Sequence, residues 1–266
     1  MRLQRLPASP ALRSLVSAFE ERTAHFGEAN LTHPLPARPD LFIEIYLAEQ
    51  YRASHDNQEF TISPEVSLVG PHGVGTTRLL MSGEVKAFSI RLQPGAIHRL
   101  IGLDMRHIAN EGVAMADVFG QITTGLRDAV FSATDFPARV TAAERWFGGM
   151  WNDLRPVDRI DMAARLLLRS GGQTRIDALS DWAGLSERQF NRRFSRQVGL
   201  APKHYARTAR LSALLDARRR RPTARWTDLA YAAGYADQAH FVRECRDLTG
   251  ASPLPFFADW TRIGAT

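Results

Sequence analysis

The last hundred residues of this 266-residue chain contain nearly the same text twice. The first copy reads LSDWAGLSERQFNRRF from Leu179 and ends in GLAP at Pro202, and the second reads LAYAAGYADQAHFVREC from Leu229 and ends in GASP at Pro253. The offset between them is 50 residues up to the first glycine and 51 residues after it. A fixed internal period of this kind indicates a repeated supersecondary unit, so one unit should occur twice in this region.

Each copy predicts two short helices joined by a tight turn. Thr174 and Asp177 form a capping-box pattern that favours the start of the first helix in the first copy. Gly184 and Gly234 stand where the first helix of each copy has to end, at a position that favours the left-handed backbone conformation. A helix, a glycine-containing turn and a second helix make up a helix-turn-helix, whose second helix can enter a DNA major groove.

The second helix of each copy is predicted from its own signals. Ser186, followed by Gln189, is a capping box that begins this helix in the first copy. Apolar residues then recur four positions apart, at Phe190 with Phe194 in the first copy and at Phe241 with Cys245 in the second. This spacing places them on one face of a helix that packs against its partner.

The chain's excess positive charge lies in the repeat region. The formal net charge is +6; residues 171–266 carry 16 Lys and Arg against 9 Asp and Glu, whereas the first 170 residues carry 18 against 19. Basic surface concentrated on one domain is typical of proteins that bind polyanions. A basic face that is merely solvated is the alternative interpretation of the charge alone.

Composition argues against several other classes of protein. No apolar run approaches the roughly 18–20 residues that a membrane helix needs, so no membrane partner is expected. The first residues, MRLQRLP, are not followed by the apolar core of a secretory signal. The single cysteine cannot form an internal disulfide and fits a reducing cytoplasm, which is the predicted location.

Residues 1–155 are predicted to form a β-rich N-terminal domain, a small sandwich or barrel with flanking helices. The strand signals are runs of β-branched and aromatic residues bounded by turn residues, at 41–47, 66–70, 78–81 and 85–92. In the last of these, three apolar residues alternate with Ser89 and Arg91, which is typical of a half-buried strand. A short helix is expected over Pro10–Glu21, and the proline-containing residues 32–36 are expected to break any regular element.

From Ala114 onward the pattern becomes helical. A helix over 137–151 is a candidate dimer seam, although an amphipathic helix more often packs on its own domain. Pro156 marks the predicted domain boundary. Residues 156–262 are expected to form an all-α domain, so that the fold class is α+β. Its parts are helix-turn-helix 1 at about 176–195, a bridging helix at about 202–220 and helix-turn-helix 2 at about 226–248.

The bridging helix has a length that suits two adjacent grooves. About 19 helical residues span about 28 Å at 1.5 Å per residue. Successive major grooves on one face of DNA lie about 34 Å apart. A single chain could therefore present both second helices to neighbouring grooves.

The doubled motif resembles the DNA-binding region of the AraC/XylS family of bacterial transcription regulators. The second copy carries the stronger match, in AGYADQAHF from Ala233 to Phe241, followed by GASP at 250–253 and by Phe256. The resemblance implies a sequence-specific regulator that binds promoter DNA with both motifs. The upstream part is similar to the β-rich domains attached to such regulators, at Gly70-Pro71 and at QPGA from Gln93.

The resemblance also assigns roles to surface residues of the two second helices. Arg can pair bidentately with guanine, and Asn or Gln with adenine. The implied base-reading residues are Arg188, Gln189, Asn191, Arg192, Gln238, His240 and Arg243. Phosphate contacts, which add affinity and salt dependence without reading sequence, are expected from Ser186, Arg193, Arg196, Lys203, Arg218, Arg219, Arg220 and Arg221. For each side chain the alternative is simple solvation.

Three residues have two competing interpretations. The family usually has an aromatic residue where Cys245 stands, and the cysteine is expected to be a small buried hydrophobe rather than a redox switch. Trp182 and Trp226 could be stacking platforms, but their helical positions favour core packing.

Double-stranded promoter DNA is the expected partner, with RNA polymerase, a small-molecule effector and a second copy of the chain as further candidates. No cofactor, metal or catalytic residue is expected, because residues 1–155 show no close His-x-His pair followed by a distant carboxylate and histidine. They also show no phosphate-binding glycine loop or nucleophile elbow. Two other classes stay open: an enzyme with its active site in the N-terminal domain, and a structural protein that binds all DNA duplexes alike.

Overall fold

The computed structural model describes residues 1–27, 30–55, 58–73, 77–150 and 154–264, and of residues 259 and 261–264 it describes the backbone alone. Within these residues the strands are β1 (Arg2–Pro7), β2 (Val16–His25), β3 (Leu31–Leu35), β4 (Phe42–Tyr46), β5 (Arg52–His55), β6 (Thr61–Ile62), β7 (Val66–Val69), β8 (Thr77–Met81), β9 (Glu84–Leu92) and β10 (Gly112–Ala114). The helices are α1 (Ala96–Ile101), a short 3-10 turn (Met105–His107), α2 (Met115–Phe119), α3 (Ile122–Ser132), α4 (Phe136–Gly149), α5 (Arg159–Arg169), α6 (Ile176–Ala183), α7 (Glu187–Val198), α8 (Pro202–Arg220), α9 (Trp226–Ala232), α10 (Gln238–Thr249) and α11 (Pro253–Gly264).

Two antiparallel sheets form the N-terminal part. The larger has the strand order β1-β2-β9-β4-β7-β10, and the smaller has the order β3-β8-β5-β6. One face of the larger sheet is apolar, and α3 and α4 cover it. The side chains that meet there include Phe19, Ile43, Ile45, Phe88, Ile90, Leu126, Val130 and Phe147. The predicted α+β class, with a β-rich N-terminal part and an all-α C-terminal part, is confirmed.

The other face of the larger sheet is also covered, and it combines buried apolar residues such as Tyr46 and Ala87 with a polar group around Glu44. Glu44 is 2% exposed and Ser89 is 0% exposed. The Ser89 hydroxyl donates to Glu44 at 2.8 Å, and the Arg22 guanidinium also donates to Glu44. The strand predicted over 85–92 therefore has the predicted alternation, but it is not half-buried. A polar residue whose hydrogen bonds are satisfied inside the protein cannot be told from a solvated one by alternation alone.

Two predictions for the first 36 residues are wrong. A helix was expected over Pro10–Glu21, but residues from Val16 onward form β2, which pairs with β1 on one side and β9 on the other. Burial between two neighbouring strands outweighs the local preference of Ala, Leu and Glu for helix. Residues 31–35 form a strand despite Pro34, because β3 lies at the edge of the smaller sheet, where a missing N–H is tolerated.

The helix predicted over 137–151 is found as α4, and Trp151 lies outside the described residues. Its apolar stripe, which was a candidate dimer seam, packs inside its own domain. Phe136, Val140, Ala143 and Phe147 on this stripe belong to the core against the larger sheet.

The C-terminal helices form two cores joined by α8. The first core holds α5, α6 and α7 against the start of α8, through Leu179, Phe190, Phe194 and Tyr205 among others. The second holds α9, α10 and α11 against the end of α8. The bridging helix runs from Pro202 to Arg220, and its 19 residues match the predicted length.

The N-terminal part packs directly on both cores. The backbone N–H of Ala37 donates to the carbonyl of Leu248 at 2.7 Å, and the Ala37 side chain belongs to the second core. On the first core, Arg165 of α5 donates to the carbonyl of Ser14 at 2.7 Å. The His204 ring of α8 also contacts the carbonyl of Gly73. Both helix-turn-helix units are therefore held against the β-rich part.

Candidate nucleic-acid interface

The first helix-turn-helix consists of α6 and α7. Gly184 ends α6 with φ 67° and ψ 35°, the left-handed conformation expected from the sequence. Ser186 and Gln189 form the predicted capping box at the start of α7. The other predicted capping box is wrong: α6 has Arg175 at its N-cap without a side-chain bond, and the Thr174 hydroxyl donates to Ser170 at 2.8 Å.

The second helix-turn-helix consists of α9 and α10. Gly234 follows α9 with φ 87°, again left-handed. Asp237 caps α10 by accepting the backbone N–H of His240 at 2.6 Å. Phe241 and Cys245 are buried in the second core, as their spacing predicts. Burial raises the pKa of the Cys245 thiol to about 11, which supports a packing role for this side chain.

The outer face of α7 carries Arg188, Asn191 and Arg192, and all three side chains are exposed. Phe190 and Phe194 point away from this face into the first core, where both are 0% exposed. Gln189 is exposed as well, but its side-chain oxygen accepts the backbone N–H of Ser186 at 3.2 Å. Three of the four residues expected to read bases on α7 therefore have no partner within the described part of the chain.

On α10, Gln238 and Arg243 are exposed, whereas His240 is half-buried. The His240 Nδ1 accepts the backbone N–H of Ala236 at 3.3 Å, and its Nε2 lies 3.6 Å from Glu244. The ring also packs edge-on against Tyr235. His240 is thus part of the turn's own structure, and the other two side chains form the free polar face of α10.

The candidate phosphate contacts fall into two groups. Exposed side chains that make no ion pair within the described residues are Arg196, Lys203, Arg220 and Arg221. The others have partners within the protein. Arg218 donates to the carbonyl of Ala224 at 2.5 Å and stacks on Trp226 at 4.6 Å, while Arg219 pairs with Asp216 and stacks on Trp260. Ser186 caps α7, and Arg193 pairs with Asp158.

The two tryptophans of the repeat differ from each other. Trp226 is partly buried and stacks on Phe257 with 3.5 Å between ring centroids, so its predicted packing role is confirmed. Trp182 was also expected in the core, but it is 43% exposed. The reason is its position on α6: Leu179 and Ala183 occupy the buried face of this helix, and Trp182 does not share that face.

Two acidic residues that have no local sequence signal join the helices of the interface to neighbouring helices. Glu244 of α10 is 4% exposed and pairs with Arg207 at 3.1 Å and with Arg210 at 3.3 Å, both on α8. A buried carboxylate needs such partners, and here they tie α10 to the bridging helix. No local spacing signal could have found this pair, because its members lie more than 30 residues apart.

The second such residue is Asp158, which precedes α5. Its Oδ1 accepts the backbone N–H groups of Ile160 and Asp161, at 2.8 and 3.1 Å, and so caps α5. Its Oδ2 accepts hydrogen bonds from two α7 side chains, Arg193 at 2.8 Å and Gln197 at 3.0 Å. The Asp161 side chain in turn accepts the backbone N–H of Asp158 at 3.0 Å, which completes a capping box.

The described residues contain no group of three or more His, Cys, Asp or Glu side chains that could hold a metal ion. In the same part of the chain no helix is both long and apolar enough to span a membrane.

Comparison with known proteins agrees with this geometry. The family described as a helix-turn-helix domain matches residues 179–258, which begin at the first copy and extend into α11. The match identifies residues 179–258, which include both copies of the repeat, as a helix-turn-helix domain. No curated protein sequence matches the chain at a significant level.

Solved structures of ToxT from Vibrio cholerae are similar to this chain in fold over most of its length. One ToxT structure covers 90% of this chain and 98% of its own, with 10% identity and a TM-score of 0.50. A second, bound to (E)-4-(8-methylnaphthalen-1-yl)but-3-enoic acid, covers 91% and 99%, with 9% identity and a TM-score of 0.51. A third, bound to an unsaturated fatty acid, covers 92% and 96%, with 11% identity and a TM-score of 0.50. At these identities the likeness concerns the fold alone.

Proposed function

We propose that this chain is a transcription regulator of the AraC type, which binds promoter DNA sequence-specifically with α7 and α10 in adjacent major grooves. The observation that supports this most directly is a pair of similar helices, each with a free polar face, joined by the 19-residue α8. Arg188, Asn191 and Arg192 on α7, with Gln238 and Arg243 on α10, are the base-reading side chains. Gln189 and His240 instead shape the two helix starts, because the Gln189 side-chain oxygen and both His240 ring nitrogens already have partners.

Phosphate contacts come from the exposed basic residues around these faces. Arg196, Lys203, Arg220 and Arg221 are free to make them. Arg218 and Arg219 instead stabilise the second core through their stacked tryptophans. This division predicts that only the first group contributes to the salt dependence of binding.

The experiment that tests the function is selection of bound duplexes from a random pool with the full chain. We expect one enriched motif made of two half-sites whose centres lie about 10–10.5 base pairs apart, one helical turn. The selected duplex should bind on the order of a thousandfold more tightly than random DNA. A pool that shows no enrichment, with equal affinity for every duplex, would instead identify a structural protein that binds DNA without sequence preference.

We further propose that the N-terminal domain controls DNA binding through a small carboxylic acid. Arg38 lies where the two sheets meet, and its Nη1 is buried without a hydrogen-bond partner. Burial lowers the pKa of this guanidinium to about 10. A buried cation that lacks a full complement of acceptors favours an anionic ligand. The carboxylic acids bound to ToxT belong to the same chemical class.

This effector is tested on the full chain by thermal unfolding with an unsaturated fatty acid and with the matching alcohol. The acid should raise the melting temperature, whereas the alcohol should not, since it lacks the carboxylate. Arg38→Gln should abolish the shift without changing the affinity for DNA in the absence of acid. Equal shifts with acid and alcohol would rule out Arg38 as the receptor of the carboxylate. Sedimentation of the same samples would show whether a second copy is bound.

A further inference from the structure

The two carboxylate oxygens of Asp158 have separate partners. Oδ1 accepts two backbone N–H groups at the start of α5, and Oδ2 accepts the side chains of Arg193 and Gln197 from α7. One oxygen therefore stabilises the end of a helix, while the other holds a basic side chain of the helix that faces DNA in the proposed function. Replacing Oδ2 by an amide nitrogen would therefore remove the bond to Arg193 and retain the cap of α5.

Arg193 lies beside the free face of α7. With about 100° between successive helical residues, its side chain projects from the flank next to Arg192 and Arg196, toward α5. Arg193 is 45% exposed and Asp158 is 33% exposed, so the pair is open to solvent on one side. Exposed ion pairs of this kind are worth about 0–1 kcal/mol. Asp158 is already fixed beside α7 by its bonds to the α5 backbone and to Gln197, so Arg193 pairs with it without further ordering of the carboxylate.

The pair has a direct consequence for how DNA is bound. A phosphate contact by Arg193 would strengthen binding to every sequence equally, because phosphates carry no sequence information. While Arg193 is bound to Asp158 this contribution is withheld, and the negative charge of Asp158 also lies beside the approaching DNA backbone. Base-reading residues then account for a larger share of the binding free energy.

We propose that Asp158 limits the sequence-independent affinity for DNA, because it keeps Arg193 away from the phosphates. The proposal rests on the proposed function, since it requires α7 to lie against DNA. It also gives Arg193 a different role from the other exposed arginines of α7, of which Arg188, Arg192 and Arg196 have no ion-pair partner within the described residues.

The test is Asp158→Asn in the full chain. Asparagine caps helices about as well as aspartate, so its oxygen retains the bonds to the α5 backbone. Its amide group replaces Oδ2 and no longer accepts a hydrogen bond from Arg193. The affinity for the selected duplex and for random DNA is then measured between 50 and 200 mM salt, for wild type, D158N, R193A and the double variant.

D158N should steepen the slope of log affinity against log salt by about 0.9, the contribution of one phosphate contact. Its affinity for random DNA and for the selected duplex should rise by the same factor, roughly threefold at the low-salt end of this range, so that the ratio of the two affinities stays unchanged. R193A alone should leave the slope unchanged, and in the double variant it should remove the whole effect of D158N. R196A is the matched control, since loss of this free arginine should flatten the slope by about 0.9.

Two outcomes would overturn the proposal: a salt slope of D158N equal to that of wild type, or a slope of R193A that falls as much as that of R196A. R193A retains Asp158 and therefore the cap of α5, so its salt slope tests the proposal even if D158N unfolds at a lower temperature. If wild type bound no duplex at all, the proposed function would fail and this inference with it. Binding by wild type with no change in the variants would overturn this inference alone.

Discussion

At the scale of single residues, the free polar face of α7 makes base reading separable from phosphate contact. Arg192→Ala should cost about 1–3 kcal/mol on the selected duplex and should relax the preference at one base position, because a bidentate contact to guanine is lost. Arg196→Ala should weaken all duplexes alike. Competition titrations with single-base variants of the selected duplex measure both effects. Uniform weakening by both substitutions would show that Arg192 contacts phosphate rather than a base.

Gly95 is a second residue with a specific requirement. Its backbone is left-handed, with φ 78°, and a Cβ at this position would overlap the Oδ1 of Asp161 on α5. Gly95→Ala should therefore destabilise the chain by the left-handed strain of about 1–2 kcal/mol and by the displaced carboxylate in addition. Gly184→Ala is the matched control, since Gly184 is also left-handed but a Cβ there makes only an ordinary contact. Urea unfolding of the two variants gives the difference, and equal losses would show that the contact with Asp161 contributes nothing.

The residues that sequence reasoning identified are those whose signal is local. Ser186 with Gln189 and the two turn glycines follow from spacing of three residues or from a backbone conformation that favours glycine. Glu244 and Asp158 were missed because their partners are distant in the chain: 34 to 37 residues for Glu244, and 35 to 39 for the α7 partners of Asp158. Such pairs are made by the packing of helices, which no single segment records.

At the scale of elements, the start of α7 depends on one side chain. The Ser186 hydroxyl accepts the N–H of Gln189, and the Gln189 side chain returns a bond to the Ser186 backbone. Ser186→Ala should lower the free energy of unfolding by about 1 kcal/mol, whereas Ser186→Asp, which retains a capping oxygen, should stay close to wild type. Chemical denaturation measures both. Equal losses for the two variants would mean that the cap contributes no stability.

Elements were predicted best where the local sequence pattern is strong. The 19 residues of α8 and the strands at 41–47 and 66–70 follow from periodicity and from β-branched runs. Residues 16–21 were predicted as part of a helix but belong to β2, because β1 and β9 pair with them on both sides. The edge strand β3 was not predicted because it contains a proline. An edge strand tolerates proline, but only the assembled sheet shows which strand lies at its edge.

At the scale of the whole molecule, the docking of the N-terminal part on the C-terminal helices makes stability sensitive to mild acid. His33 lies on β3, and its pKa is lowered to about 4 by burial and, to a smaller extent, by the charge of Arg219 at the end of α8. The unfolded chain binds a proton at His33 near pH 6.5, so the stabilisation is complete above this pH and is lost as the pH falls toward 4.

Between pH 7.5 and 5.0 His33 should account for a loss of about 2 kcal/mol in the free energy of unfolding. His33→Gln cannot take up a proton, so this variant should lose less stability than wild type over the same range. Urea unfolding at the two pH values measures the difference. The pKa of buried His72 is also lowered, mainly by burial, so the variant should retain part of the pH dependence. Identical pH profiles for wild type and variant would show that His33 titrates normally.

The sequence by itself determined the repeated unit, its two turns, the bridging helix, the buried faces of α7 and α10 and the concentration of charge in residues 171–266. The repeat and the charge are read directly from the text of the chain, and the turns and helix faces depend on neighbours within a few residues, where periodicity and backbone preference act directly. Only the tertiary structure decided which arginines are free. Arg193, Arg218 and Arg219 look like Arg196 and Arg220 in the sequence, but the fold brings Asp158, Trp226 and Trp260 to them. A charged side chain takes its role from the acceptors around it, and most of those acceptors come from other elements.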